Sequence, residues 1–177
     1  ATDVIPGKNS AKLEGETLLF MEYEPALNGS LLIIVKSQLT EVILVSDYKL
    51  TNSTLLSIQG KATAAKYKGL QLVIAFGSKI SIYTLQDSTF SSKSQLLISD
   101  ARFNGKLSIG TMKGETYLFV YFQPSFNSMD LIIQIYETTS TQSLPIEVQL
   151  KFPFAFDNFD FDTKKIKTKI PTTGGLK

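Results

Sequence analysis

The sequence contains no cysteine, no histidine and no tryptophan, and Arg102 is the one arginine among its 177 residues. Without cysteine there are no disulfides, no thiolate metal sites and no thiol nucleophile, so stability rests on packing and strand pairing. Without histidine the serine–histidine and cysteine–histidine nucleophilic systems and the common zinc sites are excluded as well. Charge is also sparse: charged residues make up 19% and the net charge is +2. Nucleic-acid readers use clustered basic faces and bidentate arginine contacts, and this composition argues against such a partner. Long hydrophobic runs are missing too. The longest, such as Leu31-Leu32-Ile33-Ile34-Val35 and Leu72-Val73-Ile74-Ala75-Phe76, fall far short of the roughly 20 residues of a membrane-spanning helix. The opening Ala1-Thr2-Asp3 carries no initiator methionine, which fits either a processed mature protein or a trimmed chain.

What the chain does have is apolar content of 43%, typical of a globular protein and enough for one domain or one compact array of repeats. It also repeats itself. Gly15-Glu16-Thr17-Leu18-Leu19-Phe20, with Pro25, Asn28 and Leu32-Ile33-Ile34, returns as Gly114-Glu115-Thr116-Tyr117-Leu118-Phe119, with Pro124, Asn127 and Leu131-Ile132-Ile133. Ten of the twenty aligned positions are identical without a gap. Between them, Gly60-Lys61-Ala62-Thr63 with Lys68-Gly69 matches Gly105-Lys106-Leu107-Ser108 with Lys113-Gly114, and Ile80-Ser81-Ile82-Tyr83 resembles Ile133-Gln134-Ile135-Tyr136. A fixed self-similarity of this length marks a repeat architecture.

Each unit reads as four strands, rich in β-branched and aromatic residues and bounded by Gly, Pro, Asn and Ser. In the third unit these are Lys106 to Gly110, Thr116 to Phe122, Asp130 to Glu137 and Leu144 to Lys151. In the middle unit, Leu70 to Phe76 and Lys79 to Leu85 flank a tight Gly77-Ser78 turn. Lys61 to Lys68, with its alanines, has helical potential, but the repeat predicts a strand there. Tyr117-Leu118-Phe119-Val120-Tyr121-Phe122 is apolar at successive positions and must be covered on both faces. Strand order and repeat length over about residues 12–152 resemble β-propeller blades. The expectation is an all-β fold of three antiparallel four-stranded units of about 50 residues, of β-propeller type, with a β-trefoil or a β-sandwich as alternatives. The units cover roughly 10–59, 60–104 and 105–151, followed by a Phe/Asp-rich closing segment and basic tail over 152–177. Closed propellers have four or more blades, so three units call for completion by something else.

No constellation of catalytic side chains stands out. Glu14, Glu16, Glu22 and Glu24 read as solvated charges at strand ends and turns, although an enzyme working on carbohydrate through two carboxylates remains an alternative. Five of the twelve phenylalanines, Phe152, Phe154, Phe156, Phe159 and Phe161, fall in one stretch with Asp157, Asp160 and Asp162. The period of two in Phe152, Phe154 and Phe156 predicts a closing strand. Asn158, Asp160 and Asp162 imitate the opening of a calcium loop, but Thr163 and Lys169 stand where glycine and glutamate are needed, so they are weak metal candidates. Lys164, Lys165 and Lys167 alternate with apolar residues as in a lysine-protected edge strand. Together with Phe154, Phe156, Phe159 and Phe161 they are the candidate partner-binding residues. Asn28-Gly29-Ser30 and Asn52-Ser53-Thr54 fit the N-glycosylation pattern in predicted turns. The functional expectation is a non-enzymatic extracellular or cell-surface assembly protein without a cofactor. Its repeat scaffold presents loops to a protein partner, a second copy or a glycan, or serves as a structural subunit or fragment of a larger propeller-like complex.

Overall fold

The computed structural model describes residues 15–46, 52–113, 115–125, 128–138, 145–153, 158–160 and 165–167. It is all-β, with three four-stranded antiparallel sheets and one two-stranded ladder. The first sheet contains β1 (Thr17–Glu24), β2 (Gly29–Val35), β3 (Leu39–Ser46) and β4 (Asn52–Gln59), paired in chain order. The second contains β5 (Ala64–Lys68), β6 (Gln71–Phe76), β7 (Lys79–Gln86) and β8 (Thr89–Leu97), also in chain order. The third contains β9 (Leu107–Met112), β10 (Glu115–Phe122), β11 (Asp130–Glu137) and β12 (Ile146–Lys151). Finally, β13 (Asn158–Asp160) pairs with β14 (Lys165–Lys167). The chain divides into two compact units, Ala1–Lys61 and Ala62–Lys177. No helix among the described residues is long and apolar enough to cross a membrane.

Local chemistry explains the meanders. Phe76 pairs with Lys79 across Gly77-Ser78, and Gly77 takes a φ of 65°, as the first central residue of a hairpin turn that matches strand twist must. Gln86 pairs with Thr89 across Asp87 and Ser88, both at positive φ, and the Thr89 hydroxyl donates to the Gln86 carbonyl at 2.9 Å. Gly69 and Leu70 make the β5–β6 turn, with Leu70 at φ 66°. A side chain in that region costs about 1–2 kcal/mol. The Lys61 to Lys68 segment resolves in favour of the repeat, since Ala64–Lys68 forms a strand paired with β6.

In the second unit, the second and third sheets face each other across one apolar core. Val73, Ala75, Ile80, Ile82 and Leu96 from one side, with Ile98 from the connecting loop, meet Leu107, Ile109, Leu118, Val120, Phe122, Ile132 and Tyr136 from the other. The Ser94 hydroxyl donates to the Thr138 carbonyl and ties β8 to the end of β11. Residues on the opposite faces are buried too: Leu72 and Ile74 on β6, and Phe119 and Tyr121 on β10. Continuous apolar strands therefore lie covered on both faces, as their sequences require. Gly110 belongs to this packing, because the Phe119 ring lies where its Cβ would stand, with Cζ at 3.1 Å.

The repeat and the sheets are offset by one strand in one place. Thr17–Glu24 aligns in sequence with β10, which sits inside its sheet between β9 and β11, yet β1 is first in its own sheet. Residues 8–13, which correspond to β9, lie outside the described residues.

Candidate interaction surface

The third sheet ends in β12, and this strand joins a polar cluster on one face to an apolar strip on the other. The polar cluster is centred on Arg102, in the loop between β8 and β9. Its Nε donates to Asp100 Oδ1 at 3.0 Å and its Nη2 to Asp100 Oδ2 at 2.7 Å. The same Nη2 reaches Glu147 Oε2 on β12 at 3.3 Å. Gln134 on β11 donates through Nε2 to both acids, at 2.9 Å to Asp100 and 3.0 Å to Glu147. Tyr136 Oη in turn donates to Gln134 Oε1 at 2.9 Å. Beneath, the guanidinium stacks on the Phe122 ring, 4.6 Å from its centroid. Five residues from a loop and three strands, β10, β11 and β12, thus converge on Arg102.

The electrostatics follow from this geometry. The Arg102 guanidinium holds the Asp100 carboxyl well below the usual carboxylate range, aided by its hydrogen bonds to the Arg102 backbone and Gln134. Arg102 is shifted upward by the same partner. Burial, and then the negative charges of Asp100 and Glu147, push the Tyr136 phenol up. Two carboxylates are therefore close together, bridged by a cation and an amide, and Asp100, the one held below its usual range, keeps its charge. A general acid needs the opposite, a carboxyl whose proton is retained. What this arrangement does is fasten β12 and the inter-sheet loop to the core.

On its other face β12 carries Ile146, Val148 and Leu150, opposite Ile135, Ile133 and Leu131 in the ladder. The β11 residues Leu131 and Ile133 are buried with Phe119 and Tyr121, and Phe152 packs against them. The β12 residues are not covered: Ile146 is 65%, Val148 37% and Leu150 41% exposed. The corresponding outer strand of the second sheet differs. In β8 the exposed positions are Thr89, Ser91, Ser92, Lys93 and Gln95 before the terminal Leu97, the polar edge expected of a strand meant to face water.

The candidate residues read from the sequence are distributed as follows. Asn28 is exposed, in a left-handed conformation (φ 48°, ψ 50°) that ends the short 3-10 turn Pro25–Leu27. Asn52 opens β4 instead of lying in a turn, because its backbone pairs with Val45. Asn158 and Asp160 occupy β13, opposite Lys167 and Lys165 of β14, and Phe159 is opposite Ile166. Phe154, Phe156, Phe161, Asp162 and Lys164 lie outside the described residues. Among the described residues no group of three or more acidic side chains is placed to hold a metal ion. The Arg102 cluster escaped sequence reasoning, since Asp100 and Arg102 are remote in sequence from Gln134 and Glu147. The one available signal was the solitary arginine itself, two residues after an aspartate.

Compared with known proteins, the chain matches no family model and no curated sequence.

Proposed function

We propose that this protein is a non-enzymatic assembly protein, a scaffold of propeller-type blades that joins a protein partner through the outer strand of its third sheet. The observation that carries this reading is the exposed Ile146-Val148-Leu150 strip. It continues a buried apolar cluster, at a sheet edge whose counterpart on β8 is polar. Exposed apolar rows at strand edges are normally avoided, because they recruit other chains, so one that is kept points to a docking role.

Three meandering four-stranded sheets and a repeat of matching length support the blade reading. The tethering of Asp100 and Glu147 by Arg102 and Gln134 supports a structural role for the closest acidic pair described above. An extracellular or cell-surface setting is part of the proposal. It is supported by the exposed Asn28 of an Asn-Gly-Ser sequence and tested by mass spectrometry of native material for a glycan on that residue.

The experiment for the assembly role is site-specific photo-crosslinking in cells that make the protein. A photoreactive amino acid at position 148 is compared with one at position 93 on β8. The expected result is a defined adduct to one polypeptide from position 148 alone. Absence of an adduct at 148, or equal yields at both positions, would overturn the proposal.

A further inference from the structure

The β12 strand is complementary to itself, and we infer that its partner is a second copy of this chain, paired antiparallel through β12 about a two-fold axis at Gln149. This rests on the reading of β12 as a docking edge and names its occupant.

The backbone sets the phase. The Phe152 amide donates inward to the Met129 carbonyl at 2.8 Å, extending the β11–β12 ladder by one residue. Amide direction alternates along an antiparallel strand, so Leu150, Val148 and Ile146 also direct their backbone groups toward β11. Those of Glu147, Gln149 and Lys151 then point outward, along the edge that no other described strand occupies. A second β12 laid antiparallel with Gln149 facing Gln149 of the partner subunit engages all three residues in the hydrogen-bonded positions of the new ladder.

Side chains agree with that register. Glu147 and Lys151, held within one chain by Arg102 at 3.3 Å and by Asp130 at 3.5 Å, come to face the partner's Lys151 and the partner's Glu147, so two opposite-charge pairs are added by symmetry. Val148 faces the partner's Leu150, and Ile146 faces the partner's Phe152, which brings the two exposed apolar strips together on one face. Opposite-charge and apolar cross-strand pairs are the ones that stabilise a ladder, and like charges facing each other oppose it. In this pairing no like charges face each other. An isologous contact of this kind closes on itself and produces a dimer with one continuous eight-stranded sheet.

The absence of cysteine from the chain permits a direct test. Hydrogen-bonded antiparallel pairs place their Cα atoms about 5.5 Å apart, within the range a disulfide spans. In the full chain, Gln149→Cys is expected to oxidise to a covalent dimer at least tenfold faster than Lys93→Cys, whose thiol is exposed on β8. Equal rates, or a monomer in both cases, would overturn the proposal.

A second measurement uses charge. Lys151→Glu sets two pairs of carboxylates against each other and is expected to weaken dimerisation at least tenfold by light scattering. Mixing it with Glu147→Lys restores a heterodimer of about twice the 19.6 kDa chain mass. Failure of the mixture to associate, with both variants folded by circular dichroism, would also overturn the proposal. A chain that stays monomeric in these tests but crosslinks from position 148 to a different protein leaves the assembly role standing and removes the self-pairing.

Discussion

The Arg102 guanidinium lies 4.6 Å from the centroid of the Phe122 ring while its Nε and Nη2 grip the two oxygens of Asp100. Phe122 is buried in the core between the second and third sheets, so the chain's one arginine fastens the surface loop to that core. Lysine reproduces neither the fork nor the flat stacking surface. Arg102→Lys is expected to destabilise the fold by about 1–2 kcal/mol, a figure kept small because the guanidinium is partly exposed. Urea denaturation of the two proteins checks this; a change below a few tenths of a kcal/mol would show that the cluster is ornamental.

Asp100 gives the cluster a pH signature. Its pKa is lower in the folded protein than the roughly 3.9 of an unfolded aspartate, so the unfolded chain binds more protons there. The contribution of Asp100 is therefore complete above about pH 5 and is lost as pH falls below about 4 toward the folded-state value. Thermal unfolding from pH 7 to pH 2 is expected to show Asp100→Asn less stable at neutral pH. The difference from the native protein shrinks steadily in acid. A difference that does not change with pH would remove the ion pair from the account.

Gly110 and Phe119 make a steric prediction. A methyl group at position 110 runs into the Phe119 ring, and overpacking of this kind costs about 1–3 kcal/mol. Gly110→Ala should destabilise by that amount, and adding Phe119→Leu should recover part of the loss by freeing the space, a coupling expected of touching residues. Purely additive effects in a double-mutant cycle would contradict the contact.

The strands were largely legible because their signals are local. β-Branched residues and the Gly77-Ser78 turn locate β6 and β7 to within a residue, and the repeat turns Ala64–Lys68 from a helical candidate into a strand. Self-similarity carried information that propensity alone did not, since alanine and lysine favour helix. The functional surface was less legible. Ile146, Val148 and Leu150 alternate as any half-buried strand does, and nothing in that pattern separates a face covered by its own chain from one left exposed. Only the comparison with β8, once both are placed as outer strands, makes the difference visible. The Arg102 cluster is assembled by tertiary structure from a loop and three strands, so no spacing encodes it. Asn52 reads as a turn residue by composition, but pairing with Val45 draws it into β4.

The pairing of β12 with itself is tested most directly by hydrogen exchange, residue by residue along Ile146–Lys151, at low and high protein concentration. The amides of Ile146, Val148 and Leu150 bond to β11 and are expected to be protected at both. Those of Glu147, Gln149 and Lys151 face outward and are expected to exchange freely when dilute and to become at least tenfold slower when concentrated. Outward amides that exchange equally fast at every concentration would contradict the account.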